Sequence, residues 1–280
     1  MTDSDNTRRT DVGILGALRS VGRAMVETYR HGGHMVVMAP LILAIAVVPE
    51  FLQHIGEIHL GMFDSIDRFR ALANDPLRWS FGYVKVAGFI IAILATARFW
   101  SVGSVRRTLL VPPLVLVKVV GGLLLGYALA LPFEWLGKQG LSLAIGIPFK
   151  IVSAVIQAGI LIYVVGALLE DRSVTAKRAM TSLLPAAILL CVLAAIAFAP
   201  SQLLHMVNHK LALGQPLPIV WALMIFDALW VGLFAGLVGS ALFVGSRTGL
   251  TWKGWTVRPR DLGVVSKRTL DAAQFEARTV

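Results

Sequence analysis

Residues 183–199 read LLPAAILLCVLAAIAFA, a run with no charge and none of the apolar-polar alternation of a half-buried strand. In hydrocarbon every backbone N–H and C=O must be satisfied internally, which leaves helices or closed β-barrels, and barrels need short alternating segments. The run therefore reads as a membrane-spanning helix. Five more apolar runs, at about 35–53, 82–100, 109–131, 149–169 and 219–245, approach or exceed the roughly 20 residues that cross about 30 Å of hydrocarbon. Composition agrees, since 56% hydrophobic and 15% charged residues lie outside the range of an ordinary soluble domain. The expectation is an all-α polytopic membrane bundle of six transmembrane helices.

Charge sets the expected threading. Lys and Arg in the two tails and in the second-to-third and fourth-to-fifth connections outnumber those in the remaining connections by 18 to 5. By the positive-inside rule both tails are expected in the cytoplasm, and an even number of spans agrees. The formal net charge of +10 is thus mostly a topology signal, and no nucleic-acid partner is expected. The first apolar run begins near Met35, too far in for an ordinary secretory leader, so the first span is read as retained. Cys191 is the only cysteine, which excludes an intrachain disulfide and a cysteine-type zinc cluster. The chain divides into a cytoplasmic tail with an amphipathic helix (1–33), the six-helix domain (34–246) and a C-terminal cytoplasmic tail (247–280).

Three prolines suggest an internal repeat. Pro40, Pro113 and Pro185 each open an apolar run after a basic, partly amphipathic lead, and Pro49, Pro132 and Pro200 stand toward the far ends of those runs. A threefold repeat of helical hairpins, each kinked or ended by its second proline, accounts for the pattern. In the first lead Ile14, Leu18, Val21, Met25 and Tyr29 recur at helical spacing, with Arg19, Arg23, Glu27 and Arg30 on another face. This segment should lie along the inner leaflet, against anionic headgroups. Ile55, Ile58, Met62, Ile66 and Phe69 suggest a second interfacial helix at the outer surface, and Trp252 and Trp255 a headgroup-level anchor.

The lead-plus-hairpin pattern, clearest in LLEDRSVTAKRAMTSLLPAAILLCVLAAI (168–196), resembles the six-helix bacterial inner-membrane proteins of the YciC type. It is also similar to the membrane domain attached to some bacterial glycerophosphodiester phosphodiesterases. The resemblance is one of organisation over roughly residues 10–247, and it implies a six-helix bacterial membrane protein without transferring any catalytic residue.

Charges inside the spans are the first functional candidates, because ions in hydrocarbon are costly. Lys118, in LVLVKVVGGLLLG (114–126), and Asp227, in VWALMIFDALWVG (220–232), qualify, and an intramembrane charged pair between them is expected. Lys85, Lys150, Glu50 and Glu134 lie near outer ends, where snorkelling explains them. Gly122 with Gly126 and Gly232 with Gly236 have the small-xxx-small spacing of close helix contacts, and packing of spans three and six on these glycines would bring the two charges nearer. His205 and His209 are four apart in QLLHMVNHK, and Glu50, His54, Glu57 and His59 face the same side of the membrane. Two helical imidazoles at that spacing can share one metal, with carboxylates completing the shell, so His205, His209, His54 and His59 are candidate metal ligands; ordinary interfacial histidines are the plainer alternative.

There is no P-loop, GxSxG, HExxH or Asp-rich diphosphate motif. The expected function is a membrane scaffold, assembly or lipid-organising factor rather than an enzyme, with no cofactor and with a membrane-protein partner or a second copy as possible company. A small transporter or permease using Lys118 and Asp227 is the alternative.

Overall fold

The structure is a computed structural model and describes residues 14–137 and 143–251. The described residues contain helices and no strand: α1 (Ile14–Met38), α2 (Pro40–His59), α3 (Ile66–Ala71), α4 (Pro76–Val102), α5 (Val105–Leu109), α6 (Pro113–Gly137), α7 (Leu143–Leu168), α8 (Ala176–Ala179), α9 (Leu184–Ala212) and α10 (Leu217–Thr251). Six of them, α2, α4, α6, α7, α9 and α10, are long and apolar enough to cross a membrane. Trp252 and Trp255 lie outside the described residues.

Local chemistry marks the helix ends. Pro40, Pro76 and Pro185 occupy the first turns of α2, α4 and α9, where a missing N–H costs nothing. Asp75 caps α4 by accepting from the backbone N–H groups of Leu77 and Arg78 at 2.8 and 3.3 Å, and Gly103 ends that helix with a φ of 67°. The hairpins α2–α4, α6–α7 and α9–α10 each pack pairwise, and α1, α5 and α8 precede them in turn. The second proline of each run, however, terminates nothing. Pro49, Pro132 and Pro200 all sit inside continuous helices. The expected outer interfacial helix is also broken: α2 runs to His59, Gly61 turns the chain with a φ of 68°, and only the short α3 follows. Arg68 folds back over this turn, donating to the Leu60 and Gly61 carbonyls at 2.9 and 3.2 Å.

The hub of the bundle is α10, packed by α9, α2, α4 and α1. Without a hydrophobic driving force between helices in lipid, association rests on close contact, and small residues permit it. A Cβ added at Gly232 would meet Val47 and the Leu43 carbonyl, one at Gly236 would stand 3.5 Å from the Gly32 carbonyl, and one at Gly239 would meet Ile93 and Thr96, so each glycine lets a neighbouring helix come close. By contrast α6 packs on α7 alone to any extent. Gly122 faces Val164 and Gly126 faces Gln157, whose side-chain amide donates to the Gly126 carbonyl at 2.9 Å. The two glycine pairs are therefore packing sites, but they serve different partners and do not join α6 to α10.

The first helix meets the bundle by a face other than its apolar stripe. Ala24, Thr28, Gly32 and Met35 are buried against α10 and its neighbours, while Leu18, Met25 and Tyr29 are exposed. Small residues suit a close crossing of two helices, which leaves the larger apolar side chains for lipid. The Tyr29 hydroxyl donates to the Ile196 carbonyl at 3.0 Å, tying α1 to α9.

Candidate metal centre

One end of the bundle, the end that carries the C-termini of α2 and α9 and the N-termini of α4 and α10, holds a dense polar cluster. On α2, Glu50, Gln53, His54 and Glu57 fall at positions i, i+3, i+4 and i+7, so helical periodicity puts all four on one face. That face points inward, and all four residues are buried. Along α9, His205, Asn208 and His209 form a second polar face by the same spacing. Between them stands Asp227, the eleventh residue of α10 and about 15 Å from its start. Both α2 and α9 pack on α10 while scarcely touching each other, so these side chains fill the space between them.

Asp227, fully buried, is the focus. Its Oδ2 lies 2.7 Å from His205 Nδ1, 3.1 Å from His54 Nε2 and 3.6 Å from His209 Nε2, and its Oδ1 accepts from the Asn208 amide at 2.9 Å. His54 Nδ1 is 3.0 Å from Glu57 Oε2, so this ring faces a carboxylate through both nitrogens. A neutral imidazole carries one N–H and can donate to only one of them. An imidazolium satisfies both contacts, and so does a bound cation that takes the place of one proton. Glu57 Oε1 also accepts from Gln53 at 2.7 Å and from Arg78 Nε at 3.0 Å. Glu50 Oε1 pairs with Lys85 Nζ at 2.7 Å.

Three other atoms of this cluster, Glu50 Oε2, Gln53 Oε1 and His209 Nε2, are buried without a hydrogen bond, and the nearest charged atom to His209 Nε2 is Asp227 Oδ2 at 3.6 Å. Buried polar atoms almost always find a partner, because an unmet group inside a protein costs about 1–3 kcal/mol. Glu50 Oε2 and His209 Nε2 are ligand-type atoms, and their residues belong to the four, Glu50, His205, His209 and Asp227, whose donor atoms lie within 4.8 Å of one another. A second set, His54, Glu57 and His209, meets the same limit and shares His209. Mixed imidazole and carboxylate donors suit zinc, manganese or iron rather than a soft, thiolate-seeking ion.

Not all the residues singled out in the sequence come together here. His54, His205 and His209 do, whereas His59 is exposed on α2 and outside the cluster. Asp227 does not pair with Lys118. Lys118 is exposed on α6, a helix that does not pack on α10, and the carboxylate is already surrounded by imidazoles and an amide. Lys85 and Glu50 are not independent snorkelling residues either, since they form an ion pair at the edge of the centre. Lys150 and Glu134 are exposed, as snorkelling requires. Gln53, Arg78 and Asn208 were missed. The signal for Gln53 and Asn208 was available, because a polar stripe of one helical face within an apolar span is itself a sign of a buried polar site.

A second polar region lies at the opposite end. Arg23, Glu27, Arg30, His31, His34 and Trp100 line a cleft of about 570 Å³ beside α1. His31 donates through Nδ1 to the Glu27 carbonyl at 2.8 Å and packs edge-on against Trp100, and burial holds its imidazole below the ordinary value. Arg98, also buried, donates to the Leu168 carbonyl at 2.8 Å and to Glu170 at 2.7 Å, which fastens α4 to the end of α7.

No family model matches the chain, and no curated protein or solved structure is similar to it, so the likeness to the YciC type remains one of pattern and the centre has to be read from its own geometry.

Proposed function

We propose that this protein is a multi-pass membrane metalloprotein that holds one divalent transition-metal ion between Glu50, His205, His209 and Asp227. The observation that carries this reading is the four-residue donor set within 4.8 Å, in which two buried ligand-type atoms, Glu50 Oε2 and His209 Nε2, make no hydrogen bond. His54 and Glu57 form the adjoining wall: His54 Nε2 lies 3.1 Å from Asp227 Oδ2 and would orient that carboxylate toward the ion, and Glu57 holds the other nitrogen of the His54 ring at 3.0 Å. A scaffold, the expectation drawn from the missing motifs, accounts less directly for three carboxylates and three histidines gathered in one place, with Glu50, His54, Glu57 and Asp227 fully buried. Each buried ion costs several kcal/mol before its partners repay it.

Elemental analysis of the purified full-length protein tests the proposal. About one equivalent of zinc, manganese or iron per chain is expected, lost in His209→Gln and Asp227→Asn and retained in His59→Gln. A metal-free protein that also takes up none of the three on titration would contradict it. A second reading has one specific observation behind it: the two carboxylates facing both nitrogens of His54 are satisfied by an imidazolium, and the cluster then handles protons. That is the form in which transport survives, with Lys118 removed from the path.

The excess of basic residues on the side of the tails supports both termini in the cytoplasm, and the likeness in organisation to the YciC type is what supports a bacterial inner membrane. The metal centre then sits toward the outer face, and the Arg23 and Arg30 cleft faces the anionic headgroups of the inner leaflet. Cysteines introduced at Ser4 and Ala272 should be protected from an impermeant label in intact cells. Labelling of either from outside would invert this arrangement.

A further inference from the structure

The cleft at the other end of the bundle, about 570 Å³ in volume, is lined by one face of α1 and by Trp100 of α4. Arg23, Glu27, Arg30 and His34 fall at i, i+4, i+7 and i+11, so helical periodicity sets them along that face. The inner wall is fixed. The Trp100 indole donates to Ser240 Oγ of α10 at 3.0 Å, and His31, bonded to the Glu27 carbonyl, packs on the indole with ring centroids 4.3 Å apart. Beside Gly22 the cleft is open, since a Cβ added there would have nothing within 4 Å.

On a lone helix Glu27 would pair with Arg23, four residues before it, or with Arg30, three after it. Here it turns to α10 instead, where Arg247 Nη1 stands 3.9 Å from its Oε1. Among the described residues that leaves Arg23 and Arg30 without a hydrogen bond or an ion pair, both exposed and both lining the cleft. Arg23, Arg30 and Arg247 against Glu27 give two net positive charges, a count that leaves the histidines out. Two guanidiniums seven residues apart, about 10 Å along the helix, can close on an anion between them, and their planar forks match the oxygens of a phosphate. The surroundings are apolar. Val26 and Met38 line the same cleft and are exposed, and Val37 and Leu41 carry the apolar surface past it. Acyl chains match such walls, and a free aqueous anion does not.

We propose that this cleft binds one anionic membrane phospholipid, with its phosphate held between Arg23 and Arg30 and its acyl chains laid on Val26, Val37 and Met38. The proposal rests on the membrane reading of the six long helices, deepens the placement of the cleft among headgroups into a site for a single lipid, and is independent of the metal centre. It gives the charges of α1 opposed effects: the two arginines attract the phosphate, and Glu27 repels it. A damaged fold cannot imitate that opposition, since it would weaken binding in every variant.

Native mass spectrometry of the full-length protein in detergent, titrated with phosphatidylglycerol or with phosphatidylcholine of the same chain length, counts the lipids bound. Phosphatidylglycerol should saturate at one per chain and bind about tenfold or more tightly than phosphatidylcholine. Arg23→Gln and Arg30→Gln should each weaken it about fivefold or more, and Glu27→Gln should tighten it about two- to fivefold. Arg19→Gln, on α1 but outside the cleft, should leave it unchanged. Equal binding of the two lipids overturns the proposal, and so does a Glu27→Gln protein that fails to bind more tightly. A loss in Arg19→Gln as large as that in Arg30→Gln also overturns it, because the attraction would then belong to a basic helix rather than to a site. Water-soluble glycerophosphoglycerol that displaces the lipid at equal concentration overturns the membrane source, since the anion would then be arriving from water. Metal uptake and the labelling of the tails are read separately, so a failure here leaves the metal and topology readings standing.

Discussion

Lys118 in α6 and Asp227 in α10 look alike in the sequence, each a single charge among apolar residues, and the fold treats them oppositely. Asp227 is fully buried, surrounded by His54, His205, His209 and Asn208 from two other helices. Lys118 is exposed on a helix that packs only on α7. It is the sixth residue of α6, about 8 Å from the helix start, close enough for a four-carbon stem to carry its ammonium to the interface. An isolated charge in a span thus has two physical resolutions, escape along the helix or partners across helices. Which one applies depends on the neighbouring helices.

The strongest way to break this contrast is to neutralise each charge in turn. Asp227→Ala should destabilise the protein by about 3–5 kcal/mol, because it strands imidazoles and an amide that were built around the carboxylate. Lys118→Met should shift stability by less than about 0.5 kcal/mol. Thermal or chemical unfolding in one detergent compares them, and equal losses would mean that Lys118 has a buried partner after all. A double-mutant cycle sharpens the point. Asp227 and His205 should couple by about 1–3 kcal/mol, whereas Asp227 and Lys118 should be additive within about 0.5 kcal/mol.

The glycines extend the comparison to packing. Gly232→Val forces a side chain against Val47 and Leu43 of α2 and should cost about 1–3 kcal/mol, while Gly121→Ala, which has nothing within 4 Å of its new Cβ, should be neutral or slightly stabilising. If Gly232→Val were harmless, the contact between α10 and α2 that seats Asp227 beside His54 would not be as close as described. The smallest effect expected is on metal affinity at lower pH. Acidification should weaken it progressively, because the imidazole ligands must be deprotonated to bind, and a titration followed at several pH values measures the slope. A pH-independent affinity would remove the histidines from the ligand set.

Much of the fold was legible because the bilayer imposes it. Apolar runs of sufficient length become helices wherever they occur, and Pro40, Pro113 and Pro185 open helices at the start of three hairpins. Helix ends were harder, since Pro49, Pro132 and Pro200 are tolerated within spans and a positive φ at Gly61 interrupts a periodic stripe that looked continuous. The centre was half legible. The histidine spacing in α9 and the acid-histidine stripe in α2 follow from helical periodicity alone, and Asp227 stood out as a charge in hydrocarbon. What periodicity cannot supply is helix order in the bundle. That order brings Asp227 to α2 and α9 and keeps it from α6, and it carries Arg78 and Lys85 of α4 to the carboxylates of α2.

The most direct test of the central claim is titration of the purified, chelator-stripped protein with cobalt(II), followed by visible spectroscopy. A centre built from Glu50, His205, His209 and Asp227 should give d–d bands of a low-coordinate nitrogen and oxygen site that saturate at about one equivalent and are displaced by zinc. The bands should vanish in His209→Gln and persist in Lys118→Met and His59→Gln. A spectrum no different from that of aqueous cobalt, or bands indifferent to His209, would contradict the metal centre.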